Sequence, residues 1–155
     1  MLRRGELALL TVADVRESAT GIQVRVHRPK TQALRPPVWH SIRADPQSPV
    51  CPVALWRLWR AQLLERGFQA GALFRAASGA PLSGADINAV VQRRARQAGL
   101  TGRFTGHSLR IGGATALAAA GATDAEIAAI GGWALGSDAL RRYIRPGALD
   151  AVLPL

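Results

Sequence analysis

The chain has 155 residues, the length of about one domain, and 48% of them are apolar, which supports a folded core rather than a disordered tail. Twenty Lys and Arg face ten Asp and Glu, a net charge of +10 that points to a polyanionic partner, nucleic acid before an anionic membrane. No apolar run approaches the 18 residues of a membrane span, the first residues lack the pattern of a signal peptide, and the lone Cys51 excludes a disulfide framework and fits a reducing compartment.

In chain order, "GELALL" (5–10) reads as the end of a helix. "IQVRVHR" (22–28) alternates Ile22, Val24 and Val26 with Gln23, Arg25 and His27, the period of a half-buried strand. "PKTQ" turns the chain and "PVWHSI" (37–42) returns as the partner strand. After the Pro-rich loop "ADPQSPVCP", Pro52 suits a first helical turn. Val53, Leu55, Trp56, Trp59 and Leu63 form the apolar face of a helix that stops at Gly67. Both Trp are expected in the core. Ser83, with Asp86 three residues on, caps a further helix that stops at Gly99. Arg93, Arg94 and Arg96 crowd its end, where they either match the helix dipole in solvent or contact phosphate.

Thr105 caps the helix of "TGHSLRIGGAT" (105–115), which continues to Gly121 and sets His107 and Arg110 one turn apart on one face. "TDAE" (123–126) is a capping box that opens a short helix ending at Gly131-Gly132. Ser137 caps a last helix running through Tyr143 to Pro146. The expected fold is mostly α with a small antiparallel hairpin or sheet, an α+β class.

Carboxylate chemistry finds little support, because the ten acids are scattered. The three His have no metal-ligand spacing, and neither Gly pair is a phosphate loop. No metal and no cofactor is expected. Arg, His, Lys, Trp and Tyr remain. Phosphodiester chemistry can use them: arginines clamp nonbridging oxygens, a Tyr hydroxyl attacks, and His or Lys moves the protons. Nineteen of the twenty cations are Arg, and Lys30 is the exception. Codon bias explains the Arg excess. A retained Lys also fits a position that needs a proton able to leave.

"GHSLRIGGAT", "IGGW" and "RRYIRP", in that order, resemble the catalytic half of a tyrosine recombinase of the phage integrase family. "LRRGELALLTVADV" is similar to the segment that holds that family's first catalytic Arg, and "RPKTQ" to the hairpin turn that holds its Lys. The "RRYIRP" end most resembles recombinases of eukaryotic mobile elements. The resemblance covers nearly the whole chain, 1–155, as one catalytic domain. It implies that the family's preceding DNA-clamping domain is missing here.

The resemblance implies Arg3, Lys30, His107, Arg110, Trp133 and Tyr143 as catalytic residues, with Glu6 as a supporting acid. Tyr143 would form a 3′-phosphotyrosyl link, Arg3 and Arg110 would hold the nonbridging oxygens, His107 would assist proton transfer, Lys30 would protonate the leaving 5′ oxygen, and Trp133 would pack against Tyr143. Double-stranded DNA would be the partner, with a homo-oligomer assembled on it and no membrane. The location would be intracellular, cytoplasmic in a prokaryote or nuclear in a eukaryote. Two other functions stay open on the same residues: a catalytically silent DNA-binding remnant and a type IB topoisomerase-like enzyme.

Overall fold

The computed structural model describes residues 1–27, 37–134, 136 and 138–145. They form two compact units, one of residues 5–83 and one of residues 1–4 with 84 onward. The first helix, α1 (Arg4–Leu9), starts at the junction of the two. Among the described residues no helix is long and apolar enough to cross a membrane.

In the unit of residues 5–83, a 3-10 turn at Val12–Asp14 leads into a three-stranded antiparallel sheet of order β1-β2-β3. Its strands are β1 (Val15–Ser18), β2 (Gly21–Val26) and β3 (Val38–Arg43). The alternation expected in β2 holds: Ile22, Val24 and Val26 are buried, and Gln23 and Arg25 are partly exposed. Strand β1 was not foreseen, because "VRES" has one apolar residue and no alternation. Its backbone groups are satisfied by β2, with Val15 opposite Val24 and Ser18 opposite Gly21. Gly21 has to be small: a Cβ there would overlap the Ile42 carbonyl oxygen of β3.

Helix α2 (Pro52–Glu65) starts with Pro in its first turn, as expected. Val53 and Leu63 are buried, and Trp56 and Trp59 are half-buried, with the Trp59 indole N–H donating to the Leu73 carbonyl at 2.8 Å. Leu55 departs from the expected apolar face. It is half exposed, because it stands at the margin of the stripe, beyond Trp59 and Leu63.

Three helices close in one way. At Gly67, Gly99 and Gly121 the glycine N–H and the next N–H turn back to carbonyls of the last helical turn, which is the Schellman arrangement. The positive φ of these residues, 77°, 71° and 85°, is why glycine ends each helix.

The other unit holds α3 (Gly84–Gln97), α4 (Gly106–Ala119), α5 (Asp124–Gly131) and α6 (Asp138–Arg141). Helix α3 begins directly after Ser83, and the Thr123–Glu126 capping box at α5 is formed. The core is Ala114, Ile127, Ala128 and Leu140, where small residues let α4 and α5 approach closely. Helix α6 is shorter than expected. It ends at Arg141, and Tyr143 sits in the following turn. One side chain holds the turn that follows it. The Thr115 hydroxyl donates to the Tyr143 carbonyl and accepts from the Arg145 N–H, each at 3.2 Å.

Asp14, unremarked in the sequence, is a fully buried charge. It accepts hydrogen bonds from the Thr11 N–H (2.9 Å), the Thr11 hydroxyl (2.7 Å) and Arg25 Nε (2.7 Å), and contacts His27 Nε2 at 2.8 Å. Burial alone would raise its pKa. The bonds from Thr11, then Arg25 and His27, outweigh burial and hold the carboxyl well below the usual carboxylate range. A depressed folded pKa contributes stability above the unfolded value of about 4, and that stability is lost as pH falls below it. We predict that Asp14→Asn lowers stability by about 1–3 kcal/mol near neutral pH, the scale for leaving a buried hydrogen-bonding group poorly matched, since its cationic partners are themselves partly exposed. The gap to the parent should shrink as pH drops below about 4. Denaturant titrations at several pH values check this, and a pH-independent gap would contradict it.

Candidate functional site

Helix α4 organises the site. Thr105 is extended at its N-cap and its N–H donates to Ser108 Oγ at 3.1 Å, which fixes where the helix starts. His107 and Arg110 therefore fall one turn apart. His107 is exposed in the first turn, whereas Arg110 is only 2% exposed.

Burying a guanidinium is costly unless its N–H groups are satisfied. Arg110 Nη1 donates to the Met1 carbonyl at 2.5 Å and Nη2 to the Gly131 carbonyl at 2.6 Å. The guanidinium also lies 3.9 Å from the centre of the Trp133 ring and 5.6 Å from that of Tyr143. These contacts fix the plane of the fork.

The aromatic rings form a continuous series. Tyr143 meets Trp133 edge-on at 4.8 Å and His107 edge-on at 5.0 Å. The sole tyrosine of the chain is thus held between the two ring residues singled out in the sequence. Trp133 lies so close to the end of α5 that a Cβ on Gly131 would overlap its six-membered ring.

Beside His107 opens a cleft of about 400 Å³, lined by Arg3, Arg4, Asn88, Arg103, Thr105, Gly106, His107 and Arg110. It has four guanidinium groups, one imidazole and no carboxylate. The N-terminus of α4 also contributes its positive dipole end. The cleft suits a polyanion, phosphate above all. Among the described residues no group of three or more His, Cys, Asp or Glu could hold a metal ion.

The structure thus brings Arg3, His107, Arg110, Trp133 and Tyr143 into one unit. Glu6 is half-buried on α1, in the unit of residues 5–83. Lys30 lies outside the described residues. Arg93, Arg94 and Arg96 are exposed on the last turns of α3, do not line the cleft, and Arg94 donates to Gln97 at 3.2 Å.

Sequence reasoning missed Arg4, Arg103 and Asn88. Asn88 Oδ1 accepts the Gly106 N–H at 2.9 Å and so pins the start of α4 to α3. Arg103 had a signal, since it precedes the Thr105 cap by two residues in a basic chain. Asn88 had none, being one polar residue on a polar helix. The small residues after Arg110 divide in their use. Ala114 is fully buried and Gly113 faces Met1, whereas Gly112 meets open space.

Gly131→Ala should cost about 1–3 kcal/mol, the range for overpacking, by pushing Trp133 off Tyr143 and Arg110. Thermal and chemical unfolding measure it. An unchanged midpoint would show that the close approach of Trp133 carries no strain when filled.

Residues 1–148 match the phage integrase family. No curated protein matches the chain. Its fold is similar to that in the crystal structure of XerA recombinase, with a TM-score of 0.74 and 21% identity. The similarity covers 97% of this chain and 51% of that one, so the chain spans about half the length of the structure it matches.

Proposed function

The chain belongs to the phage integrase family, and we propose that its cationic cleft grips a phosphodiester of double-stranded DNA while Tyr143 attacks the phosphorus. The observation that carries this reading is the position of Tyr143, against His107 at 5.0 Å, beside a cleft lined by four arginines. An anionic substrate would reach His107 and Arg110 together, and the tyrosine is adjacent.

The reaction is a transesterification. The bond from Tyr143 Oη to phosphorus forms as the bond from phosphorus to the 5′ oxygen breaks. The phenolic proton passes to His107, and the leaving 5′ oxygen takes a proton from Lys30, the role the family resemblance assigns to it. Arg3 and Arg110 hold the nonbridging oxygens, where charge gathers in the transition state. The packing of Trp133 limits the swing of the Tyr143 ring, and its indole N–H is a donor for the phosphate. Glu6 supports the arginine three residues before it. The 3′-phosphotyrosyl link keeps the phosphodiester bond energy. A 5′ hydroxyl of another strand can therefore reverse the step, which makes the outcome strand exchange between copies of the chain synapsed on DNA.

A duplex nicked close to the cleavage point traps the intermediate, because the short 5′ fragment diffuses away. The parent chain should form a covalent protein–DNA adduct, and Tyr143→Phe should form none. An adduct that persists in Tyr143→Phe would exclude Tyr143 as the nucleophile. Salt-sensitive duplex binding with no adduct from the parent would mark a DNA-binding module instead.

A further inference from the structure

One face of the sheet packs Val15, Ile22, Val24 and Val26 inward, and the strand register places a different set on the other face. Arg16 is opposite Gln23, Gln23 opposite Ser41, and Arg25 opposite Trp39, with Arg43 two residues beyond Ser41 on β3. A partly exposed Trp on the edge strand β3 is costly to leave in water. Here Trp39, 38% exposed, lies between two guanidinium groups. That of Arg16 is 4.0 Å and that of Arg25 5.7 Å from its ring centre. Arg16 Nε donates to Gln23 Oε1 at 2.9 Å, and Gln23 Nε2 to Ser41 Oγ at 3.4 Å. The side chains are thus ordered before any partner arrives, which lowers the entropy cost of binding. Arg25 is anchored from below by Asp14.

Asp14 pairs with Arg25, and the remaining charges of this face are cationic. Among the described residues, neither Arg16 nor Arg43 makes an ion pair. The nearest acid on β1, Glu17, alternates to the other face, where it meets Arg57 at 3.2 Å. Planar guanidinium groups, an amide, a hydroxyl and an aromatic plate suit a sugar–phosphate backbone. Arg, Gln and Ser donate to its phosphate oxygens, and stacking on Trp39 orients the guanidinium of Arg16 for that contact. We propose that this sheet face is a second DNA-backbone contact, separate from the cleft and carried by the unit of residues 5–83. The inference rests on the reading that the chain acts on DNA.

The test compares two double variants with the same change in charge. Arg16→Gln/Arg43→Gln alters the face, and Arg57→Gln/Arg66→Gln alters α2 and its end. Duplex affinity is measured across a salt series, with adduct formation measured at saturating nicked duplex. Two lost phosphate contacts should reduce the slope of log affinity against log salt by about 1.8, and should weaken binding roughly 30-fold at 0.15 M salt. The α2 variant should change far less. Equal effects of the two variants, or a slope unchanged by the face variant, would overturn the proposal. The face variant should still form adduct once saturated. Absence of adduct from the parent would sink the tyrosine chemistry without touching the salt result. Absence of duplex binding by the parent would sink both.

Discussion

A buried guanidinium is the constraint on which the unit of residues 1–4 and 84 onward depends. Arg110 sits almost fully out of water, and an ionised group there has to be surrounded by acceptors or the unit does not close. The carbonyls of Met1 and Gly131 and the face of Trp133 supply that surrounding. Each comes from a different part of the unit: the first residue, the end of α5, and the stretch after it. Arg110 therefore ties the start of the chain to the end of α5, and the same contact orients the group facing the cleft. One side chain thus closes the unit and, in the proposed reaction, would also meet the phosphate.

The position of Tyr143 follows from that closure. With Trp133 held on Arg110, the Tyr143 ring has a wall on one side and His107 on the other. Its main chain is held separately, by Thr115 reaching across from α4. The glycine at 131 is the condition for all of this, because a side chain there would occupy the space of the Trp133 ring. In the proposed reaction, a tyrosine fixed by rings and by backbone would lose little freedom on reaching a phosphate, which is how proximity lowers a barrier.

Much of this was legible in the sequence, and the exceptions have physical reasons. Helix stops at glycine and starts at Thr105 and Thr123 depend on residues a few positions apart, so the local pattern suffices. Strand β1 depends on pairing with β2 rather than on its own alternation, and no local pattern announces it. The early end of α6 comes from Thr115, 28 residues before the tyrosine it holds. Leu55 sits at the margin of its helix's apolar stripe, where apolarity alone does not decide burial. In the site, His107, Arg110, Trp133 and Tyr143 were readable as an ordered set of motifs. Asn88 and Arg103 join the cleft only through packing of α3 on α4. Asp14 was invisible as a lone acid, since its four bonds come from Thr11, Arg25 and His27, which the chain brings together only when the sheet forms.

The central claim is that the planar fork of Arg110, and not its charge alone, arranges the site. The rate of adduct formation by Arg110→Lys at saturating nicked duplex tests it most directly, with helical content followed in parallel by circular dichroism. Lysine keeps the charge but cannot bridge two carbonyls in a plane or stack on Trp133. The account predicts a rate lower by a factor of about 100 or more, the scale of losing a positioned transition-state donor, in a chain that still folds and binds DNA. A rate within twofold of the parent would contradict it.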